Sequence, residues 1–241
     1  MFSIFQEGLV YGFVYPSETA MTVSFAVAIL VTVIGAYLLG SINSAIIVSR
    51  LFFREDVRSH GSGNAGTTNV MRSYGKKAAI FTLLGDMLKT VLAILLGGAI
   101  LGLYYVDYGF SIGYGGYIAA LACVIGHVYP VFYGFKGGKG VLCLATAVLM
   151  LSPIALALLL LVFILIVAFT KYVSLGSVVG GLLYPILLNR IFVFFFDQPL
   201  DGVQTLISML LGIFIAFCHR ENIKRLMRGE ENKFSFHSKK K

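Results

Sequence analysis

The stretch Val141-Leu-Cys-Leu-Ala-Thr-Ala-Val-Leu-Met-Leu-Ser152-Pro153-Ile-Ala-Leu-Ala-Leu-Leu-Leu-Leu-Val-Phe-Ile-Leu-Ile-Val-Ala-Phe-Thr170 runs for thirty residues without a charged side chain. About 20 apolar residues are enough to cross a bilayer as a helix, so this run is too long for one simple span. Its only interruption is Ser152-Pro153. Proline cannot donate a backbone hydrogen bond and turns the residue before it away from helical geometry. The run therefore reads as a short helix ending at Leu151 and a second helix from Pro153 to Thr170.

The same reading extends outward in both directions. Met21–Ser49, Ala78–Tyr105, Ile112–Tyr129, Tyr172–Phe196 and Val203–Cys218 are further apolar runs, giving seven segments, two of them short of a full crossing. The expected fold is an all-α integral membrane protein, a polytopic bundle of about seven helical segments. Composition supports it: of 241 residues 58% are apolar and 12% charged, with mean hydropathy +0.89. Soluble domains carry about 25% charged residues. A chain so poor in charge cannot cover a water-facing surface, which excludes a soluble enzyme, a secreted domain, a disordered chain and a nucleic-acid binder. The length suits one domain.

The distribution of cations orients the bundle. Arg50–Lys77 holds six Lys or Arg, Pro130–Gly140 two, the Lys171 turn one, and the tail from His219 eight. Residues 1–20, the Asp107 turn, the Ser152-Pro153 break and the Asp197–Asp201 turn hold none. Cytoplasmic loops are the ones enriched in Lys and Arg. The amino terminus is thus expected outside and the carboxyl terminus in the cytoplasm, in agreement with an odd number of crossings. Five crossings would satisfy the same parity, with the fourth run as one span and another run merely dipping in. Residues 1–20 lack the basic start of a secretory signal and read as an extension at the interface. The terminal lysines read as an anchor to anionic headgroups. Cys123, Cys143 and Cys218 are odd in number and far apart, each in apolar sequence, and read as packing residues.

Three polar clusters fall on the cytoplasmic side. The first is Gly61-Ser62-Gly63-Asn64-Ala65-Gly66-Thr67-Thr68-Asn69, closing on Arg72. Glycines let successive N–H groups turn toward one point and make an anion-binding nest; the small polar side chains add donors, and Arg72 adds a planar fork suited to phosphate. A helix beginning near Asn69 would add its positive end. The second is Gly126-His127, Pro130, and Phe135-Lys136-Gly137-Gly138-Lys139-Gly140. Backbone and ammonium could meet one oxygen there, but the P-loop spacing is absent. His127 alone reads as a membrane-boundary residue. The third joins Tyr172-Val173-Ser174-Leu175-Gly176-Ser177 to His219-Arg220-Glu221-Asn222, with His219 and Asn222 three apart on one helix face. Asp86 and Lys89, also three apart, lie within an apolar run, where a charge costs at least about 2.5–3.5 kcal/mol. They are expected to pair as support for the adjacent glycine loop; a proton relay is the alternative.

These motifs, in this order and spacing, resemble the bacterial membrane family of acyl-phosphate:glycerol-3-phosphate acyltransferases from about Ala36 to Phe234. The resemblance implies transfer of a fatty acyl group from acyl phosphate to the 1-hydroxyl of sn-glycerol 3-phosphate, giving lysophosphatidic acid and phosphate, the first acylation of phospholipid synthesis. It implies no metal or other cofactor, and a site facing the cytoplasm in the inner membrane. The chain is expected to comprise an amino-terminal extension (1–20), a membrane acyltransferase domain (21–228) and a basic cytoplasmic tail (229–241). Carried over residue by residue, Ser62, Asn64, Thr68, Asn69, Arg72 and Lys139 would hold glycerol phosphate. Gly137, Gly138, Ser177, His219 and Asn222 would hold the acyl phosphate, and His219, Ser177, Asn222 and Lys139 form the catalytic set. The partners implied are these two substrates and the lipid bilayer, with no nucleic acid. The proton acceptor stays open between His219 and the donor's own phosphate. A membrane transporter of an organic phosphate is the alternative function, disfavoured by the lack of an internal repeat and by polar clusters at one boundary rather than at the midplane.

Overall fold

A computed structural model describes residues 18–103 and 113–233. Most of the amino-terminal extension, the Asp107 turn and the terminal lysines lie outside the described residues. Among the described residues all regular structure is helical. All seven expected segments appear as helices. Among the described residues five helices are long and apolar enough to cross a membrane, or six if the bent pair at the carboxyl end counts as one span.

The first run differs from its expectation. In place of one helix, α1 (Glu18–Ser41) stops and α2 (Ser44–Phe53) restarts after a break at Ile42-Asn43. Asn43 causes the restart: its carboxamide oxygen accepts the Ile46 N–H at 3.1 Å, as an N-cap does. After a short loop come α3 (Thr67–Tyr74) and α4 (Lys76–Gly102), then α5 (Gly113–Val128). The Ser152-Pro153 break falls where the sequence puts it. Ser152 ends α6 (Val141–Leu151) and caps α7 (Pro153–Thr170), with the proline in the first turn, where its missing N–H is not needed. At 1.5 Å per residue α6 extends only about 16 Å, roughly half the hydrocarbon core. Next come α8 (Val173–Phe196) and α9 (Gly202–Cys218), followed after a 56° bend by α10 (Arg220–Met227).

Helix α5 forms the centre, packed against α1, α4, α6 and α9, while α7 touches the bundle through α6 and α8. Correspondingly α7 buries only Ala155 and Leu159 and turns Ile164 and Phe169 outward. Such exposure would be untenable in water and is natural against lipid. Small residues set the crossings. A Cβ on Gly97 of α4 would strike the Gly115 carbonyl of α5, and one on Gly212 of α9 would strike the Gly181 carbonyl of α8. In lipid, helices gain from close van der Waals contact rather than from expelling water, so bare backbone at the contact is what lets them associate.

Candidate active site

The loops at one end of the bundle enclose a cavity of about 830 Å³, walled by the 62–72 segment, Lys139, the start of α8, the end of α9 and α10. Ser62, Asn64, Thr68, Asn69 and Arg72 line it from one side. Lys139, Ser177, His219 and Asn222 line it from the other. Nine of the eleven residues expected at the site thus meet around one space. Gly137 and Gly138 do not line it.

Helix α3 supplies one wall. It begins at Thr67 with Gly66 as its cap and no side chain capping it, and Gly66, Thr67 and Thr68 line the cavity, which sets the helix's positive end at its wall. Thr68 and Arg72 are four apart and share that face; the Arg72 guanidinium is exposed and makes no hydrogen bond within the described residues. Asn69 has a different task. It is buried, accepts the Ser62 N–H at 3.0 Å, and donates to the Val57 and His60 carbonyls at 3.1 and 2.9 Å. Its amide folds the glycine loop rather than remaining free for a ligand.

The Gly-Lys loop also works differently from its sequence reading. The Gly137 and Gly138 N–H groups are consumed by the Val128 and His127 carbonyls at 3.0 and 3.1 Å, and the Gly137 carbonyl accepts from Ala65 N at 3.4 Å. These glycines let the loop lie flat on the end of α5 and against the first loop. Lys139 and Gly140 line the cavity, and Lys139 alone brings a side chain to it. Its ammonium donates to the Asn222 carboxamide oxygen at 2.6 Å. Burial lowers the pKa of Lys139, nearby Arg225 and Arg72 push the same way, and Glu231 and Cys218 oppose them.

Glu231 was not legible as a site residue. Although it lies in the expected tail, it folds back to line the cavity. Its carboxylate accepts from Asn222 Nδ2 at 2.7 Å, Ser174 Oγ at 2.9 Å and Arg225 Nε at 2.8 Å. Burial works to raise its pKa, but the hydrogen bonds from Arg225, Asn222 and Ser174 win and keep it ionised. Asn222 is thereby held at both ends, its oxygen on Lys139 and its NH₂ on Glu231. The only hint in the sequence is an acid a few residues beyond the His219–Asn222 pair.

His219 is buried, and its Nδ1 sits 2.8 Å from the Ile215 carbonyl. A carbonyl can only accept, so Nδ1 carries a proton, and in the neutral ring Nε2 then keeps the lone pair. The Ser177 hydroxyl donates to the Val173 carbonyl at 2.9 Å, which leaves its oxygen as an acceptor. Beyond these polar groups the cavity continues into an apolar arm of Leu144, Val148, Leu159, Leu160 and Phe163 from α6 and α7. The site is held together from outside by Arg58, which donates to the Tyr133 and Lys136 carbonyls at 2.8 and 3.0 Å and thus joins the two loops. Asp56 anchors Arg58 at 2.8 Å, and that partner holds the Asp56 carboxyl well below the usual range. Among the described residues no three His, Cys, Asp or Glu side chains gather as a metal site requires.

The family model described as glycerol-3-phosphate acyltransferase matches residues 30–229. The chain belongs to that family. A glycerol-3-phosphate acyltransferase of Clostridioides difficile (strain 630) is 42% identical over 198 residues, covering 82% of this chain and 91% of the relative. One from Finegoldia magna is 40% identical, with 82% and 91% covered. A crystal structure of PlsY (YgiH), an integral membrane glycerol 3-phosphate acyltransferase in its glycerol 3-phosphate form, superposes with TM-score 0.72 at 36% identity, covering 86% of this chain and 96% of that one. Its lysophosphatidic acid form gives 0.70 at 35% identity. Family membership makes this chain a membrane acyltransferase of phospholipid synthesis acting on glycerol 3-phosphate.

Proposed function

We propose that the acyl donor is an acyl phosphate and that the product is 1-acyl-glycerol 3-phosphate, released with inorganic phosphate. One observation carries this reading: a single cavity is rich in cations and N–H donors at one end and apolar at the other. Two phosphorylated substrates need the first end, and a hydrocarbon tail needs the second. The glycerol 3-phosphate and lysophosphatidic acid forms of the solved relative support the same acceptor and product here. Ser62, Asn64, Thr68, Arg72 and Lys139 hold glycerol phosphate; Ser177, His219 and Asn222 hold the donor phosphate. Asn69, Gly137 and Gly138 act by shaping the loops. The bias of Lys and Arg puts this end of the bundle in the cytoplasm, with the amino terminus outside, in a bacterial inner membrane.

The reaction is a direct displacement. The 1-hydroxyl oxygen attacks the acyl carbon, the ester C–O bond forms, and the bond from that carbon to the phosphate oxygen breaks, the phosphate leaving with the electron pair. Phosphate is a good leaving group, so no covalent enzyme intermediate is needed. The hydroxyl proton passes to His219 Nε2 or to the donor phosphate, while N–H donors lining the cavity stabilise the developing oxyanion. His219→Ala separates the two: collapse of kcat assigns the proton to the histidine, and a loss of less than about tenfold assigns it to the phosphate.

The decisive assay uses purified protein in lipid vesicles supplied with palmitoyl phosphate and glycerol 3-phosphate. Phosphate release that requires both substrates, with one lysophosphatidic acid per phosphate, is the expected result. Uptake of glycerol 3-phosphate without acylation would instead make the protein a carrier.

A further inference from the structure

We infer that the buried Asp86–Lys89–His127 cluster is a positioning device for Lys139. The inference rests on the reading above, in which Lys139 binds glycerol phosphate. All three residues are at most 4% exposed. The Lys89 ammonium, which can only donate, has three acceptors around it: Asp86 Oδ1 at 2.9 Å, the Ile42 carbonyl at 2.7 Å and His127 Nδ1 at 2.9 Å. Asp86 also accepts the Ser44 N–H at 3.4 Å.

Two consequences follow. Ile42 O and Ser44 N flank the break between α1 and α2, where a backbone in lipid would otherwise lack partners, so the ion pair closes that break. Secondly, His127 Nδ1 is fixed as an acceptor, which puts the ring proton on Nε2 and locks the ring's orientation. The locked ring edge lies directly under Gly138: a Cβ there would meet His127 Nε2 before anything else. Gly138 is the residue before Lys139, and its N–H is bound to the His127 backbone carbonyl at 3.1 Å. His127 is therefore the seat of the loop, and Asp86 and Lys89 hold that seat still. The first loop rests on the same hub, because Ala65 bonds Gly137 O at 3.4 Å and accepts from Asn43 at 3.4 Å. The spacing between Arg72 on one loop and Lys139 on the other is thus set from inside the membrane.

The test is His127→Asn in the full-length protein in lipid. Asparagine keeps an acceptor for Lys89 close to the Nδ1 position and removes the ring edge beneath Gly138. We expect the variant to fold, with KM for glycerol 3-phosphate raised at least about fivefold and kcat changed less. On a Lys139→Ala background the same substitution should add little, because both changes act on one contact. Unchanged KM in His127→Asn, or effects that multiply with those of Lys139→Ala, would overturn the positioning role. Unchanged KM in Lys139→Ala itself would instead overturn the assignment of the lysine. Should His127→Asn not fold, Asp86→Asn with Lys89→Met removes both charges together, leaves neither stranded, and carries the same kinetic expectation. If neither variant folds, the cluster is a folding element and the assignment falls.

Discussion

Two loops wall the cavity, and they use glycine in opposite ways. In the segment from Gly61 to Arg72 the glycines free the chain to bring side chains and the start of α3 to the cavity wall, and Ser62, Asn64, Thr68 and Arg72 all line the space. In the segment from Lys136 to Gly140, Gly137 and Gly138 remove side chains so that the backbone can lie on α5, and their N–H groups are spent there. The first loop is a surface made for a ligand. The second is a mount for one cation. Glycine beside lysine therefore says little about which backbone groups reach an anion; what decides is whether other carbonyls have already taken the N–H groups.

The largest expected effects come from the cations that the two loops present. Lys139→Ala and Arg72→Ala each remove a charge-assisted contact worth about 1.5–3 kcal/mol, or roughly ten- to a hundredfold in kcat/KM. Steady-state kinetics with varied glycerol 3-phosphate reads this directly. Near-normal kcat/KM in a folded Lys139→Ala protein would mean that the second loop mounts nothing and that the contrast between the loops is false.

Much of this arrangement was legible in the sequence, and the part that was not has a common cause. Apolar run length depends on local composition, so the segments and the Ser152-Pro153 break could be read directly. The polar clusters converge because each lies at the same end of the bundle, at the start of α8 but at the close of α5 and α9, as an alternating path through a bilayer requires. Other features depend on contacts between distant segments. Asp86 and Lys89 pair as expected, but nothing local says that Lys89 also reaches Ile42 and His127, 47 and 38 residues away. His127, read as a boundary residue, is a buried member of that cluster. Asn69 looks like a ligand donor by type and is a loop brace by position. Glu231 lies in a charged tail and becomes a partner of Asn222 only when the chain turns back at Gly229, whose φ of 72° is in the left-handed region. The break at Asn43 was hidden in an apolar run, although Ser41, Asn43 and Ser44 marked it.

A middle-sized effect separates mounting from mere flexibility within the second loop. Gly138→Ala drives a methyl into the locked His127 ring; overpacking of this kind costs about 1–3 kcal/mol, and the displacement falls on Lys139. Gly134→Ala is the matched control. It has φ of 65° and open space around it, so alanine there incurs backbone strain without a collision, about 1–2 kcal/mol. Thermal unfolding in detergent should register both variants, while KM for glycerol 3-phosphate should rise only in Gly138→Ala. Equal rises in the two would make the loop a generally strained turn rather than a seat.

The smallest effect concerns pH. Burial and the neighbouring guanidinium groups of Arg225 and Arg72 depress the Lys139 pKa below that of a free lysine. A lysine carries its charge below its pKa and loses it as pH rises through that value. Binding of glycerol 3-phosphate should therefore weaken on the alkaline side, at a pH lower than the ordinary lysine value of about 10.4. In Lys139→Arg the guanidinium stays charged across this range, so kcat/KM, though lower overall because the fork does not fit the Asn222 contact, should lose that alkaline limb. First-loop variants such as Ser62→Ala should retain it, since the titrating group is untouched. A limb that persists in Lys139→Arg would belong to a different group, and the second loop's single cation would no longer account for the binding of the phosphate.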